Sequence, residues 1–124
     1  NHEVVELFVA SSAAGGVVHY LELELGPFGH HLALSFRGVR CQIALHDELP
    51  LRVERAQGRW RGEAELPLSW LPKSPWRANA YAIHGSGADR RYLAWQPVPG
   101  EKPDFHRPEV FQALRMHAQA GVVV

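Results

Sequence analysis

Val17-Val18-His19-Tyr20-Leu21-Glu22-Leu23-Glu24-Leu25, followed by Gly26-Pro27-Phe28-Gly29 and then His31-Leu32-Ala33-Leu34-Ser35-Phe36, is the stretch that decides the fold. Leu21, Leu23 and Leu25 recur at every second position, with Tyr20, Glu22 and Glu24 between them. That is the period of an antiparallel strand whose side chains alternate between two faces. The Glu pair therefore shares one face for reasons of strand geometry alone. Pro27 fixes its own backbone dihedral and Gly29 permits a positive one, so residues 26–29 read as a turn. Leu32, Leu34 and Phe36 share a face on the far side of it, which makes a hairpin with the preceding strand the natural pairing.

The same alternation recurs in both directions. Strand-like runs cover Glu3 to Val9, Arg40 to Leu45, Leu51 to Arg55, Arg59 to Leu66, Arg77 to Ile83, Tyr92 to Trp95 and Phe111 to Met116. With the first two they make about nine short strands separated by Gly, Pro and Asp breaks. Only residues 67–71 read differently. Pro67 suits the first position of a helix, and Pro72 and Pro75 follow, so one short helical turn is expected there, packing Trp70 and Leu71 onto the sheet edge. The predicted fold is all-β, an antiparallel two-sheet sandwich, with residues 1–124 forming a single domain.

Length and charge narrow the function. A chain of 124 residues buries roughly two-thirds of its unfolded surface, enough for one two-layer core. Thirteen Lys and Arg balance thirteen Asp and Glu, so no overall field attracts phosphate backbones or an anionic membrane. Arg52, Arg55, Arg59 and Arg61 cluster, but Glu54, Glu63 and Glu65 interleave with them, as on a solvated strand face. Neither nucleic acid nor membrane is an expected partner. No apolar run reaches the ~20 residues that span a bilayer. Cys41 is a lone cysteine in an apolar run, read as a buried, inert thiol. The chain opens at Asn1 and stops on Gly121-Val122-Val123-Val124, so both ends look cut. No signal peptide is visible, which favours the cytoplasm if that lack is genuine and otherwise leaves localisation open.

No sequence motif brings catalytic groups together. His30 and His31 are adjacent on a strand and point to opposite faces, so they do not share a metal. His84 ends a strand before Gly85-Ser86-Gly87 and reads as solvent-facing or locally hydrogen-bonded. There is no Gly-x-Ser-x-Gly elbow, Walker loop or dinucleotide fingerprint. Glycoside hydrolysis needs two spaced carboxylates, and the thirteen acidic residues single out no pair. The aromatics are the remaining candidates, since rings stack on the apolar faces of sugars. Trp60 and Trp70 read as packing residues, whereas Trp76 and Trp95 stand at strand ends beside Pro75 and Pro97.

Three late motifs carry a family resemblance: Trp76-x-x-Asn79-x-Tyr81, Tyr92-x-x-Trp95-x-Pro97 and Phe105-His106-x-Pro108-Glu109-x-Phe111. With Glu3-Val4-Val5-Glu6-x-Phe8, Tyr20 to Glu24 and Ala64-x-Leu66-Pro67-x-Ser69-Trp70, they resemble the family 9-like carbohydrate-binding modules, sandwiches related to DOMON domains. The detail is closest to an uncharacterised stand-alone branch. The resemblance implies further N-terminal strands that this chain lacks, and with them an uncovered sheet edge. It also implies carbohydrate as a ligand and calcium as an ion that could be bound.

The expected function is thus a non-catalytic module that takes a carbohydrate or similar polar ligand at one rim, through Trp76, Tyr92, Trp95, Asp104 and His106. Pro108 and Phe111 are expected to anchor the last strand, and His106 to satisfy buried backbone groups. A protein-interaction or scaffold domain is the alternative, and a haem-binding DOMON-like domain using Met116 and a His is a third. An enzymatic role, were there one, would be associated with glycoside hydrolysis.

Overall fold

The structure is a computed structural model and describes residues 3–13 and 15–115. Nine strands form two antiparallel sheets, as the alternation predicts: β1 Val4–Ser11, β2 His19–Leu25, β3 His31–Arg37, β4 Gln42–Leu45, β5 Leu51–Ala56, β6 Arg59–Ala64, β7 Trp76–His84, β8 Arg91–Ala94 and β9 Gln112–Leu114. The larger sheet runs β4-β3-β2-β1-β7-β8, with β9 pairing β7 beyond the reach of β8, and β5 and β6 make a separate hairpin. The expected helical turn is a single 3-10 turn, Leu68–Trp70, opened by Pro67. No helix among the described residues is long and apolar enough to cross a membrane.

Pairing registers assign every strand residue to one of two faces. Leu7 opposes Leu23 and Val9 opposes Leu21 on the first face. There Leu23, Ala33 and Leu49 form a buried cluster against Ala64, Leu66 and Trp70, so the β5–β6 hairpin and the 3-10 turn cover this side. The second face carries Glu6, Phe8 and Ala10 opposite Glu24, Glu22 and Tyr20. Alternation implies a strand with one wet face. Instead Leu21 and Tyr20 are 1% and 2% exposed, so β2 is buried on both sides.

The second cover is irregular chain. Residues 96–111, here called the strap, cross the second face and bring Val98, Phe105, His106, Val110 and Phe111 onto Phe8, Tyr20, Phe36 and Tyr81. Asn79, fully buried, fastens its start: Nδ2 donates to the Gln96 carbonyl at 3.0 Å, and Oδ1 accepts from the Gln96 amide at 2.9 Å. Pro108 and Phe111 are buried where the strap turns into β9, as expected of anchors.

Cys41 corrects one expectation, because its thiol is exposed. A register shift between Ser35 and Phe36, together with positive φ at Gly38 and Arg40, places Cys41 in the turn before β4 rather than inside a strand. The Arg52, Arg61 and Glu63 side chains do form an exposed, salt-bridged face on the hairpin.

Candidate functional site

The strap does not lie flat along the sheet. Between its residues 97–105 and β8 it leaves a groove of about 470 Å³, walled by Tyr92 and Ala94 on the strand and by Val98, Lys102, Asp104 and Phe105 on the strap. The Tyr92 ring is 44% exposed, and its hydroxyl accepts from Arg90 Nε at 2.9 Å. Phe105 stacks on Tyr81 at 3.9 Å between ring centroids, which fixes the groove floor. The Tyr81 hydroxyl in turn donates to the Phe105 carbonyl at 3.0 Å.

Asp104 ties the strap to the other side of the sheet. Its carboxylate pairs with Arg40 in the β3–β4 turn and accepts from the His106 amide at 3.1 Å. Burial alone would raise its pKa, but the Arg40 hydrogen bond, the His106 amide and the Arg40 charge together hold it below the usual carboxylate range.

His106 lies under the strap, over the Phe8, Tyr20 and Phe36 rings. Its partner is a side chain, not the backbone groups expected: Nδ1 lies 2.8 Å from the Tyr20 hydroxyl. That hydroxyl also accepts the Arg40 amide at 2.9 Å; in the tautomer where it donates to Nδ1, the ring proton sits on Nε2, on the side of Glu22. Nε2 faces Glu22 at 3.6 Å. Burial, then the Arg40 charge, lower the His106 pKa, so near neutrality this contact is a ring N–H beside a carboxyl rather than an ion pair.

Beside Glu22 stand two more carboxyls. One oxygen each of Glu6, Glu22 and Glu24 lie within 4.8 Å of one another. Burial, a hydrogen bond to Glu24 and its charge push Glu6 up to about 9. Burial and the Glu24 charge raise Glu22 to about 7. The Tyr20 and Tyr81 hydroxyls are pushed up as well, mainly by burial.

Of the five residues picked from the sequence, Tyr92 and Asp104 meet in the groove, and His106 lies directly beneath its strap wall. Trp95 follows Ala94, so its ring leaves on the opposite side; it is 51% exposed and does not line the groove. Trp76 is remote. Ile83, the partner of Tyr92, lies seven positions further along β7, which is about 23 Å along a strand. It is half-buried, with Nε1 donating to the Pro72 carbonyl at 2.8 Å. Met116, offered as a haem ligand, lies outside the described residues. His84 faces solvent, and its partner is distant in sequence: Nδ1 lies 2.6 Å from the Glu3 carboxylate, beside the β1–β7 pairing.

Sequence reasoning missed Glu6, Glu22 and Arg40. A signal was present for the first two: Val4, Glu6 and Phe8 share a strand face, as do Tyr20, Glu22 and Glu24, and carboxylates among aromatics on one face are unusual for a solvated surface.

Relatives of the chain lie among vertebrate proteins. It is 40% identical over 127 residues to the UPF0462 protein C4orf33 homolog of Rattus norvegicus, aligning 98% of this chain with 62% of that protein. It is 39% identical over 127 residues to the Danio rerio homolog, covering 98% of this chain and 63% of the relative. Against the UPF0462 protein C4orf33 of Homo sapiens the identity is 40% over 129 residues, covering 98% and 62%. The chain thus spans less than two-thirds of the length of these relatives. No family model matches it, and no solved structure matches it.

Proposed function

We propose that this domain, and by similarity the corresponding part of the UPF0462 proteins, is a non-catalytic binding module that takes a carbohydrate or similar polar, ring-bearing ligand in the groove beside β8. The observation that carries the reading is the groove itself, where Tyr92, 44% exposed and with the Arg90 guanidinium over its ring, stands across from a strap wall holding Asp104 and Lys102. An exposed aromatic face with a few fixed polar groups is what recognition of a sugar ring needs. The resemblance to family 9-like carbohydrate-binding modules supports the same ligand class and makes calcium worth supplying.

A glycan array probed with and without calcium tests the proposal. The parent is expected to bind at least one glycan, and Tyr92→Ala to lose it while unfolding at the parent temperature. Silence from the well-folded parent across the array sinks the sugar reading.

A second reading, a protein-interaction domain, is favoured by β4. That strand ends the larger sheet and exposes Ile43 and Leu45 to 61% and 64%. An edge with open apolar side chains is a surface for strand addition or docking. Affinity capture with the parent and with Ile43→Lys distinguishes the readings: a reproducible partner lost in the variant supports it, and no reproducible partner counts against it.

A further inference from the structure

Glu6 stands directly opposite Glu24 in the β1–β2 register, and Glu22 opposes Phe8 two residues along the same face. Glu6 and Glu22 are 7% and 6% exposed. Carboxylates this close and this dry cannot all ionise, because each new charge meets both repulsion and lost hydration. The groups around them include a titratable ring from the β2–β3 turn, because His30 lies against Gly26, two residues from Glu24 on the same face. Tyr20 and Glu24 come from β2, Tyr81 from β7, Asp104 and His106 from the strap, and Arg40 from the β3–β4 turn; β3 contributes Leu32, Leu34 and Phe36. Arg40 is engaged by Asp104. Arg77, on the same face of β7, donates to the Pro108 carbonyl at 3.2 Å. His106 is the strap side chain that reaches Glu22, and its ring N–H carries no charge to offset an ionised carboxylate.

We propose that the strap is a proton-dependent cover, closed over the sheet while Glu6 and Glu22 hold protons and lifting as they ionise, so that the groove loses its strap wall at alkaline pH. His106 of the strap lies 3.6 Å from Glu22, and Phe105 of the strap stacks on Tyr81, the cross-strand partner of Glu6, so closure helps to dry these carboxyls and weakens when they demand water. The proposal does not depend on the groove holding a ligand.

The direction of the effect follows from the shifts. In the closed state Glu6 and Glu22 bind protons more tightly than ordinary carboxyls, so closure is favoured at low pH and weakens as pH rises from about 4.5 through about 7 for Glu22 and about 9 for Glu6. His106 acts on the other side. Its lowered pKa works against closure as pH falls below the usual histidine value of 6.5, when Nδ1 gains a proton and can no longer accept from Tyr20. Two carboxyl protons outweigh one imidazole proton, so closure goes on strengthening as pH falls towards about 4.5, only less steeply below 6.5.

Backbone amide exchange between pH 6.5 and 9.5, corrected for intrinsic rates, reads the cover directly. Protection at Gln96, His106 and Val110 is expected to fall by up to about tenfold per pH unit above pH 7.5, the limit for one linked proton, while Phe8 and Leu21 hold theirs. Glu6→Gln, which keeps the shape without the charge, is expected to remove most of that slope. A flat profile at the strap overturns the proposal, as does an equal fall throughout the sheet or an unchanged slope in the variant. Should Glu6→Gln fold poorly, Glu22→Gln and a carbon-detected titration of the glutamate carboxyls in the parent decide instead. Ionisation of the Glu6 carboxyl in the ordinary range would overturn the proposal outright.

Discussion

Glu6 and Glu24 face one another as a cross-strand pair on the side of the sheet that the strap covers, where like charges would normally be excluded. The pair persists because a proton is held between its carboxyls. Glu6→Gln is therefore expected to match the parent near pH 5 and to exceed it at pH 8.5. The gain should be about 1–3 kcal/mol, less than the full proton linkage because lifting of the strap rehydrates the ionised carboxyl before the fold is lost. Urea unfolding at the two pH values measures it, and a variant less stable at both would contradict this reading of the pair.

Asn79 holds four hydrogen bonds while fully buried: two through Nδ2, to the Tyr81 hydroxyl and the Gln96 carbonyl, and two accepted by Oδ1, from Ala80 and Gln96. Asn79→Asp keeps the shape but turns the donor side into an acceptor facing a carbonyl. A loss of about 3 kcal/mol is expected in chemical denaturation, with Asn79→Ala costing about 2–4 kcal/mol. A loss below about 1 kcal/mol in both variants would show that the strap is not fastened here.

Gly85 sits at φ +82°, and a Cβ there would lie 2.7 Å from the Asp89 carbonyl oxygen. Strain and overlap act together, and the obstacle is backbone. Gly85→Ala is expected to cost about 1–3 kcal/mol, whereas Gly87→Ala meets no neighbour and costs about 1 kcal/mol from its φ alone. Thermal unfolding of the two variants side by side tests that order.

The tryptophans should divide by burial. Trp76→Ala removes a half-buried ring and its bond to Pro72, and is expected to cost about 2 kcal/mol. Trp95→Ala should stay within about 1 kcal/mol of the parent, because the ring is 51% exposed. Calorimetry that reversed this order would undo the assignment of Trp76 to structure.

Much of this fold is legible from period two alone. The β2–β3 hairpin pairs Leu25 with His31 around residues 26–30, closed by the Gly-Pro-Phe-Gly turn and a bond from the Gly26 amide to the His30 carbonyl. Strand limits move by a residue or two where alternation continues past the ladder, as at Glu65 and Leu66 after β6. The strap was not legible. It is irregular chain without a period, and alternation says which residues share a face but not whether that face is wet. For that reason Glu22 and Glu24 read only as two carboxylates sharing a face, although that face is a covered one. The groove was half legible: Tyr92 and Asp104 belong to it, while Trp76 was grouped with them because a strand end beside a proline looks like a loop wherever on the sheet it falls.

Tyr20 and His106 are 86 residues apart in sequence yet share a hydrogen bond, and this separation has a consequence for how the protein is made. The β1–β2–β3–β4 meander needs only neighbouring segments and can form early, whereas the face bearing Phe8, Tyr20 and Phe36 stays open until the strap emerges from the ribosome. Closing so long a loop is slow, and an uncovered aromatic face is prone to association meanwhile. Refolding should therefore show a late phase reported by His106 and Phe111. Until residues 96–111 have been made, the nascent chain carries that aromatic face uncovered.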